Sequence, residues 1–254
     1  MAERSTGDLL TRGLSFPMSD DDWLVTNLIG GGLLLFSFLL LPLLAIQGFL
    51  VEVMSEALGE DDDIPEWGDF GFGVLVTGLK SLVLGFLYLL VPTTVFVAFF
   101  LLGIGAGSAS GTQDLVGLFT GVGGLSFLVL LLVFGYFAPA AQVNFARERT
   151  IGAGFDFGTI FEVATSSEYV VGWVLAFIIV AVQGLVANLV SLTIVGILLL
   201  PWVYFFFGVS TFYIYGRSFA NALDLDAEDR DGHGRHPPET RTDDTRTDDT
   251  RMIN

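Results

Sequence analysis

The stretch that decides the fold is residues 169–216, YVVGWVLAFIIVAVQGLVANLVSLTIVGILLLPWVYFFFGVSTFYIYG, which contain no Asp, Glu, Lys or Arg. These 48 residues would form a helix about 72 Å long at 1.5 Å per residue. A bilayer core is about 30 Å thick and is crossed by roughly 20 helical residues. We therefore expect this stretch to cross a membrane twice, with a reversal near Asn188–Ser191.

Three further runs lack charged residues, at 23–51, 81–113 and 115–146, and 52% of the whole chain is hydrophobic. A soluble domain rarely exceeds about 45–50% apolar residues. The sequence therefore predicts an all-α membrane protein, a bundle of about five transmembrane helices. The predicted spans are 28–53, 80–104, 115–144, 169–187 and 192–216.

Polar segments flank this predicted membrane domain, which covers residues 28–222. Residues 1–27 form a polar or interfacial lead, in which Leu9, Leu10, Leu14 and Phe16 are expected to lie along the membrane surface. Residues 223–254 are acidic and repeat Thr-Arg-Thr-Asp-Asp from Thr240 and again from Thr245. With almost nothing apolar to bury, this tail is predicted to be disordered.

The net charge of −17 comes from 28 acidic residues against 10 Arg and one Lys, Lys80. Such a surface is typical of a halophilic protein, because in about 1 M salt the Debye length falls to about 3 Å and like charges hardly repel. We expect folding or solubility to be lost as salt is lowered. The acidic charge also argues against nucleic acid as a partner.

The chain resembles itself at an offset of 87 residues, where Asp69-Phe70-Gly71 falls on Asp156-Phe157-Gly158. Both tripeptides precede a predicted span. This favours a tandem two-helix repeat, whose unit is a span, a polar link, an interfacial segment and a second span. The fifth span is then an addition.

Asp-Phe-Gly binds magnesium in protein kinases, but the other kinase motifs are missing here and both histidines, His233 and His236, lie in the tail. We interpret the two copies as interfacial amphipathic segments in which the aromatic rings enter the headgroup region. The residues assigned to this interfacial motif are Trp67, Asp69, Phe70, Lys80, Asp156 and Phe157.

Basic residues near helix ends predict the orientation. Lys80, Arg147, Arg149 and Arg217 fall on one side of a five-span topology, and only Arg4 and Arg12 fall on the other. This pattern places both Asp-Phe-Gly segments and the tail inside the cell, with the N-terminus outside.

Polar side chains within a span are costly and often functional. Gln47, Gln142 and Gln183 lie deepest, and two interpretations stay open for them: hydrogen bonding between helices, or a polar patch in a substrate path. Glu52 and Asn144 lie near predicted helix ends, where they can reach headgroups. The prolines within spans, such as Pro42 and Pro139, indicate either packing kinks or hinges.

Several classes of site are missing from the sequence. There is no Cys, so disulfides, thiolate metal sites and Cys nucleophiles are excluded. No hydrolase or phosphate-binding motif is present, and we expect no catalytic residue, cofactor or metal. The tail segment Asp231–His236 is at most a loose metal binder.

Six motifs resemble one known family. They are Leu14-Ser15-Phe16-Pro17, Asp20-Asp21-Asp22-Trp23, Gly30-Gly31-Gly32, Pro42 with Gln47-Gly48-Phe49-Leu50, Pro65-Glu66-Trp67-Gly68-Asp69-Phe70, and Gly78-Leu79-Lys80. Over residues 14–222 the chain resembles the haloarchaeal membrane proteins that carry domain of unknown function 4013 (DUF4013). The resemblance implies a multi-pass protein of an archaeal plasma membrane, and it implies no activity.

The function predicted from these observations is that of a non-enzymatic integral membrane protein, either a membrane subunit or a membrane-organising factor. Its partners would be the lipid bilayer and either another membrane protein or a second copy of the chain. The alternative is a small-solute or lipid transporter. It is favoured by the parallel repeat and the proline-broken helices, whereas the lack of a buried charge in mid-membrane argues against coupled transport.

Overall fold

The computed structural model describes residues 6–59 and 63–225, which are mainly helical and contain no strand. Eight α-helices follow one another. They are α1 (Thr6–Ser15), α2 (Trp23–Leu35), α3 (Leu40–Glu56), α4 (Gly73–Ser110), α5 (Asp114–Glu148), α6 (Phe157–Ala164), α7 (Ser167–Val190) and α8 (Ile194–Ala222). Short 3-10 turns lie at Phe16–Met18, Trp67–Asp69 and Ile151–Phe155. The tail beyond residue 225 lies outside the described residues.

Four helices, α4, α5, α7 and α8, are long and apolar enough to cross a membrane, and each contains an 18-residue stretch with a mean hydropathy of 2.3, 2.3, 2.5 and 2.0, respectively. They contain the predicted spans 80–104, 115–144 and 169–187, and α8 contains the span 192–216 except for its first two residues. The expected reversal within residues 169–216 is present, because α7 ends at Val190 and Thr193 caps α8 by accepting a hydrogen bond from Gly196 N at 2.9 Å.

The first predicted span, 28–53, is wrong as a single helix, because the chain breaks at Phe36–Leu39 and reverses there. The Trp67 indole donates a hydrogen bond to Thr26 O at 3.0 Å and stacks on Phe49 with ring centroids 4.4 Å apart. In one continuous helix, Thr26 and Phe49 would be about 34 Å apart, too far for one indole to reach both. Helices α2 and α3 therefore form a hairpin.

The turn of this hairpin is apolar and exposed, as Phe36, Phe38 and Leu39 show. Its backbone is bonded locally: Ser37 N donates to Leu34 O at 3.1 Å and Leu39 N donates to Phe36 O at 2.9 Å. Backbone N–H and C=O groups in hydrocarbon find no water to bond with, so a turn there needs hydrogen bonds of this local kind. The hairpin tip is thus suited to enter a membrane from one side and return.

Helix α3 lies between the pairs α4–α5 and α7–α8 and contributes to two hydrophobic cores. Phe49 and Val53 pack into a core with α8, whereas Val51 and Met54 pack into a core with α4 and α5. Its contact with α4 is backbone to backbone: a Cβ on Gly48 would lie 2.1 Å from Val74 O. Glycine permits this close approach of two helices.

The N-terminal helix α1 packs beside the C-terminal end of α8. Phe16, just after α1, stacks on Tyr213 with centroids 4.2 Å apart, and a Cβ on Gly13 would lie 2.6 Å from the Ile214 side chain. Arg217, only 2% exposed, donates a hydrogen bond to Gly59 O. Helix α1 therefore lies at the same end of the molecule as the end of α8, and the expectation that the N-terminal segment and the end of the last span face opposite sides is wrong.

The tandem repeat is not confirmed. Residues 28–53 form most of a helical hairpin, whereas the matching residues 115–140 lie within the single helix α5. The first Asp-Phe-Gly leads directly into α4, whereas the second opens the short helix α6, which ends before α7 begins. The repeat stays a prediction from the sequence.

Four crossings predict that cysteines at Thr11 and Thr165 react from the same side of the membrane and that a cysteine at Thr112 reacts only from the other. All three positions are exposed, and the chain has no native Cys. Labelling of the single-cysteine variants with an impermeant maleimide, in intact and in lysed vesicles, measures this. If Thr11→Cys shared the accessibility of Thr112→Cys instead, residues 23–56 would cross the membrane.

Candidate functional site

Several polar contacts between helices lie around the second half of α5, where it meets α3, α4 and α7. Gln142 on α5 and Ser81 on α4 form a two-way contact: Ser81 Oγ donates to Gln142 Oε1 at 2.9 Å, and Gln142 Nε2 donates to Ser81 O at 3.2 Å. Both groups of the Gln142 amide are thereby bonded to the neighbouring helix. The contact fixes the register of the two helices against each other.

The other two glutamines lie elsewhere. Gln183 on α7 approaches Tyr204 O of α8 at 3.5 Å, the outer limit of a hydrogen bond. Gln47 is half-buried on α3. The three glutamines thus belong to different helices and interfaces, and the structure does not bring them together into one polar patch.

An ion pair joins α3 to the end of α5. Both guanidinium nitrogens of Arg149 donate to the Glu52 carboxylate, Nη1 to Oε1 at 2.6 Å and Nη2 to Oε2 at 2.5 Å. The Glu52 side chain is 20% exposed and that of Arg149 is 41% exposed, so the pair is partly shielded from water. Two parallel hydrogen bonds make this the strongest geometry available to such a pair.

The segment Ile151–Phe155 is held against α4 and α5 by two buried side chains. The Tyr88 hydroxyl donates to Gly154 O at 2.8 Å, and Asn144 Nδ2 donates to Ala153 O at 2.9 Å. Gly154 lies so close to α4 that a Cβ there would come within 2.5 Å of the Leu84 side chain. These contacts fix the path of the chain from α5 into α6.

The Tyr169 hydroxyl enters the backbone of α5 next to Pro139. Ala140 N donates to this hydroxyl at 3.1 Å, and the hydroxyl donates to Tyr136 O at 2.8 Å. Ala140 N and Tyr136 O are the pair that a regular helix joins directly. Because proline perturbs the hydrogen bonding of a spanning helix, a hydroxyl from α7 at this place supports the helix at its weakest point.

Tyr136 completes this link by donating its own hydroxyl to Ala164 O, at the end of α6, at 2.5 Å. The two tyrosine rings meet edge to face, with centroids 5.5 Å apart. Helices α5, α6 and α7 are thus tied together by two side chains.

The second Asp-Phe-Gly is a helix cap. The Asp156 carboxylate accepts from Gly158 N, Thr159 N and, at 2.7 Å, the Thr159 hydroxyl. These hydrogen bonds, led by the one from the Thr159 hydroxyl, lower the pKa of the Asp156 carboxyl below its ordinary value. The stability that this cap contributes is therefore fully present at pH values above the ordinary carboxyl pKa. It is lost as the pH falls through the lowered pKa of Asp156.

The aromatic residues of the two Asp-Phe-Gly segments have different environments. Phe157 is 67% exposed, and Phe161, one helical turn later on α6, is 61% exposed. Trp67 and Phe70 are half-buried, and both rings contact Phe49. Lys80 is half-buried on α4, next to Ser81. One segment thus presents its aromatic rings outward and the other packs them into the core.

An apolar groove lies between α4, α5 and α6, with a volume of about 220 Å³. A second cavity of about 160 Å³ adjoins it along the α4–α5 seam and shares Tyr88 and Phe134 with it. We call the two together the apolar groove. The first part is lined by Tyr88, Val133, Phe134, Phe137, Phe157, Ile160 and Phe161, and the second by Gly85, Tyr88, Leu89, Pro92, Leu131, Phe134, Gly135 and Ala138.

A polar cleft of about 320 Å³ lies at the other side of the same end of the molecule, between α1 and the start of α7. It carries two arginines, Arg12 and Arg217, together with two acids, Asp8 and Glu168. Asp8 and Arg12 pair with each other at 3.3 Å. The balance of charge gives this cleft no preference for an anion or a cation.

Metal binding has no support in the part of the chain that the structure describes, since no three His, Asp or Glu side chains come together there. The tail segment Asp231–His236, considered above as a loose metal binder, lies outside that part.

Comparison with known proteins gives one match. A family model described as protein of unknown function, DUF4013, matches residues 32–192, more than half of the chain. Neither a curated protein nor a solved structure matches.

Sequence reasoning missed the ion pair and the tyrosine link. Glu52 and Arg149 are 97 residues apart, although both were assigned to helix ends on one side. Opposite charges at helix ends on the same side of a membrane can indicate such an ion pair. The sequence presents Tyr169 only as the first residue of a predicted span, and nothing in it connects Tyr169 to Pro139.

Removing the Tyr169 hydroxyl should destabilise the protein. We expect Tyr169→Phe to lower the free energy of unfolding by about 1–3 kcal/mol, since it takes the partner of Ala140 N away from a buried site. Denaturation in mixed micelles measures this. The control is Tyr204→Phe, because the Tyr204 hydroxyl forms no hydrogen bond with any described residue. Equal effects of the two substitutions would contradict a special role for Tyr169.

Glu52 and Arg149 should be energetically coupled. In a double-mutant cycle of Glu52→Gln and Arg149→Gln we expect a coupling of about 0.5–2 kcal/mol, within the range for partly exposed, bidentate pairs. The coupling should weaken as salt is raised. Glu162→Gln combined with Arg149→Gln is the control, because the Glu162 carboxylate forms no ion pair with Arg149. Strict additivity for Glu52 and Arg149 would show that the pair contributes nothing.

Proposed function

The chain belongs to the DUF4013 family, and we propose that it is a non-enzymatic integral membrane protein that serves as a membrane subunit or membrane-organising factor. The observation that carries the proposal is the distribution of polar groups. Gln142 and Gln183 each bond to a neighbouring helix, at separate interfaces, and Gln47 lies on a third helix. Among the described residues, these three glutamines therefore do not line one polar path for a solute between the helices.

The outer surface of the helices supports the same proposal. Large apolar side chains are exposed along α4, α5, α7 and α8, including Leu102, Leu125, Leu132, Leu185 and Leu198. A contiguous apolar surface of this size needs either lipid or another membrane protein against it. The second alternative would make this chain a subunit, with either a different protein or a second copy as its partner.

A lipid transporter is the other candidate. The apolar groove between α4, α5 and α6 favours it, because such a groove suits an acyl chain better than a polar solute. The two candidates predict that different molecules co-purify with the protein from its native membrane: another protein chain for a subunit, and lipid alone for a transporter.

Affinity purification from native membranes, followed by mass spectrometry of protein and lipid, tests the proposal. High salt is used throughout, because the net charge of −17 predicts a halophilic protein, and we propose that it lies in the plasma membrane of a halophilic cell. We expect a stoichiometric protein partner, or co-purification of a differently tagged second copy. An unrelated multi-pass protein with the same tag is the control. Recovery of the protein without any protein partner would contradict the subunit proposal and favour the transporter.

A further inference from the structure

We propose that the apolar groove between α4, α5 and α6 binds one acyl chain of a membrane lipid. This lipid site is separate from any surface that would bind a protein partner under the proposed function, and it does not depend on such a partner. The chain would lie along α5, with its polar end at the start of α6 and its methyl end towards Leu131.

The chemistry of the lining requires an apolar ligand. Ile160 and Val133 are aliphatic, and Phe134 and Phe137 are aromatic. The single polar atom among the lining side chains is the Tyr88 hydroxyl, and it already donates to Gly154 O at 2.8 Å. A polar ligand would lose its hydration in this groove and gain no hydrogen bond from a side chain.

The shape of the groove comes from small residues. Gly85 and Gly135 line the part between α4 and α5, and a Cβ on Gly135 would have no atom within 4 Å. The residues of α5 that line the groove, from Leu131 to Ala138, cover about 10 Å of helix length. The groove is therefore elongated along the helix, in the direction that bilayer chains take beside a spanning helix.

The narrowness of the groove favours a slender occupant over a helix of another protein. A helix with its side chains is about 10–12 Å wide, much broader than a hydrocarbon chain. The two parts of the groove measure about 220 and 160 Å³. A single hydrocarbon chain is the slender apolar ligand that fits such a space.

The ends of the groove match the polarity of a lipid. At one end, α6 begins with the exposed, capped Asp156, and Phe157 and Phe161 stand outward beside it. Exposed aromatic rings next to a charged group are typical of the interface between headgroups and hydrocarbon. At the other end, Leu131 and Pro92 lie within the apolar lengths of α5 and α4.

Filling the groove tests the proposal. The protein is delipidated by extended detergent washing, incubated with vesicles of dioleoyl phosphatidylglycerol, purified again and examined by native mass spectrometry. We expect the wild type to retain one lipid and Gly135→Leu to retain at least fivefold less. The control is Gly121→Leu on the same helix, which lies outside the groove and also has no atom within 4 Å of a Cβ.

Equal retention by Gly135→Leu and the wild type would overturn the proposal, as would equal loss in both glycine variants or no retention by the wild type. If Gly135→Leu fails to fold, Leu131→Trp fills the other end of the groove and Leu125→Trp is its control, with the same outcomes expected. A protein partner found without retained lipid would support the proposed function and refute this site. Retained lipid with no protein partner would support this site and contradict the proposed function.

Discussion

The packing of α3 against both helical pairs is the contact on which the rest of the structure depends. On one side, the Gly48 and Gly78 positions bring α3 and α4 into backbone contact, since a Cβ on Gly78 would lie 1.9 Å from Leu44 O. On the other side, the ring of Phe49 packs against the ring of Phe205 on α8, and their centroids are 5.4 Å apart. Lipid chains are as apolar as leucine, so close fit rather than hydrophobicity drives such association. Helix α3 supplies that fit for α4–α5 and for α7–α8.

Hydropathy was sufficient to predict four of the helices and insufficient for the first span. The segment Phe36-Ser37-Phe38-Leu39 is as apolar as its neighbours and contains neither Gly nor Pro, so nothing in it indicates a reversal. Pro42 was interpreted as a kink or a hinge within a span. It lies instead in the first turn of α3, where the N–H groups have no helical partner and the missing N–H of proline costs little. The sequence alone does not distinguish a proline in the first turn of a helix from one that bends a longer helix.

The candidate site was predicted only in part, because its contacts join residues far apart in sequence. Gln142 could be identified from its depth within a span, but its partner Ser81 could not, since serine is common near helix ends. The Asp156 segment was assigned to an interface, and the structure adds that its carboxylate caps α6. The apolar groove has no sequence signature at all, because its lining residues come from three helices and include glycines, Gly85 and Gly135, that are two among the 31 of the chain.

The position of α1 and α2 beside α8 has a consequence for biosynthesis. Trp202 on α8 donates a hydrogen bond to Leu28 O on α2, across 174 residues of chain. At a typical synthesis rate of 5–20 residues per second, α2 waits roughly 9–35 s for this partner. During that interval the α2–α3 hairpin lacks the helix whose Phe205 and Trp202 cover Gly30 and Gly31. Helix α2 is therefore made well before α8 and reaches its final contacts only once α8 has been made.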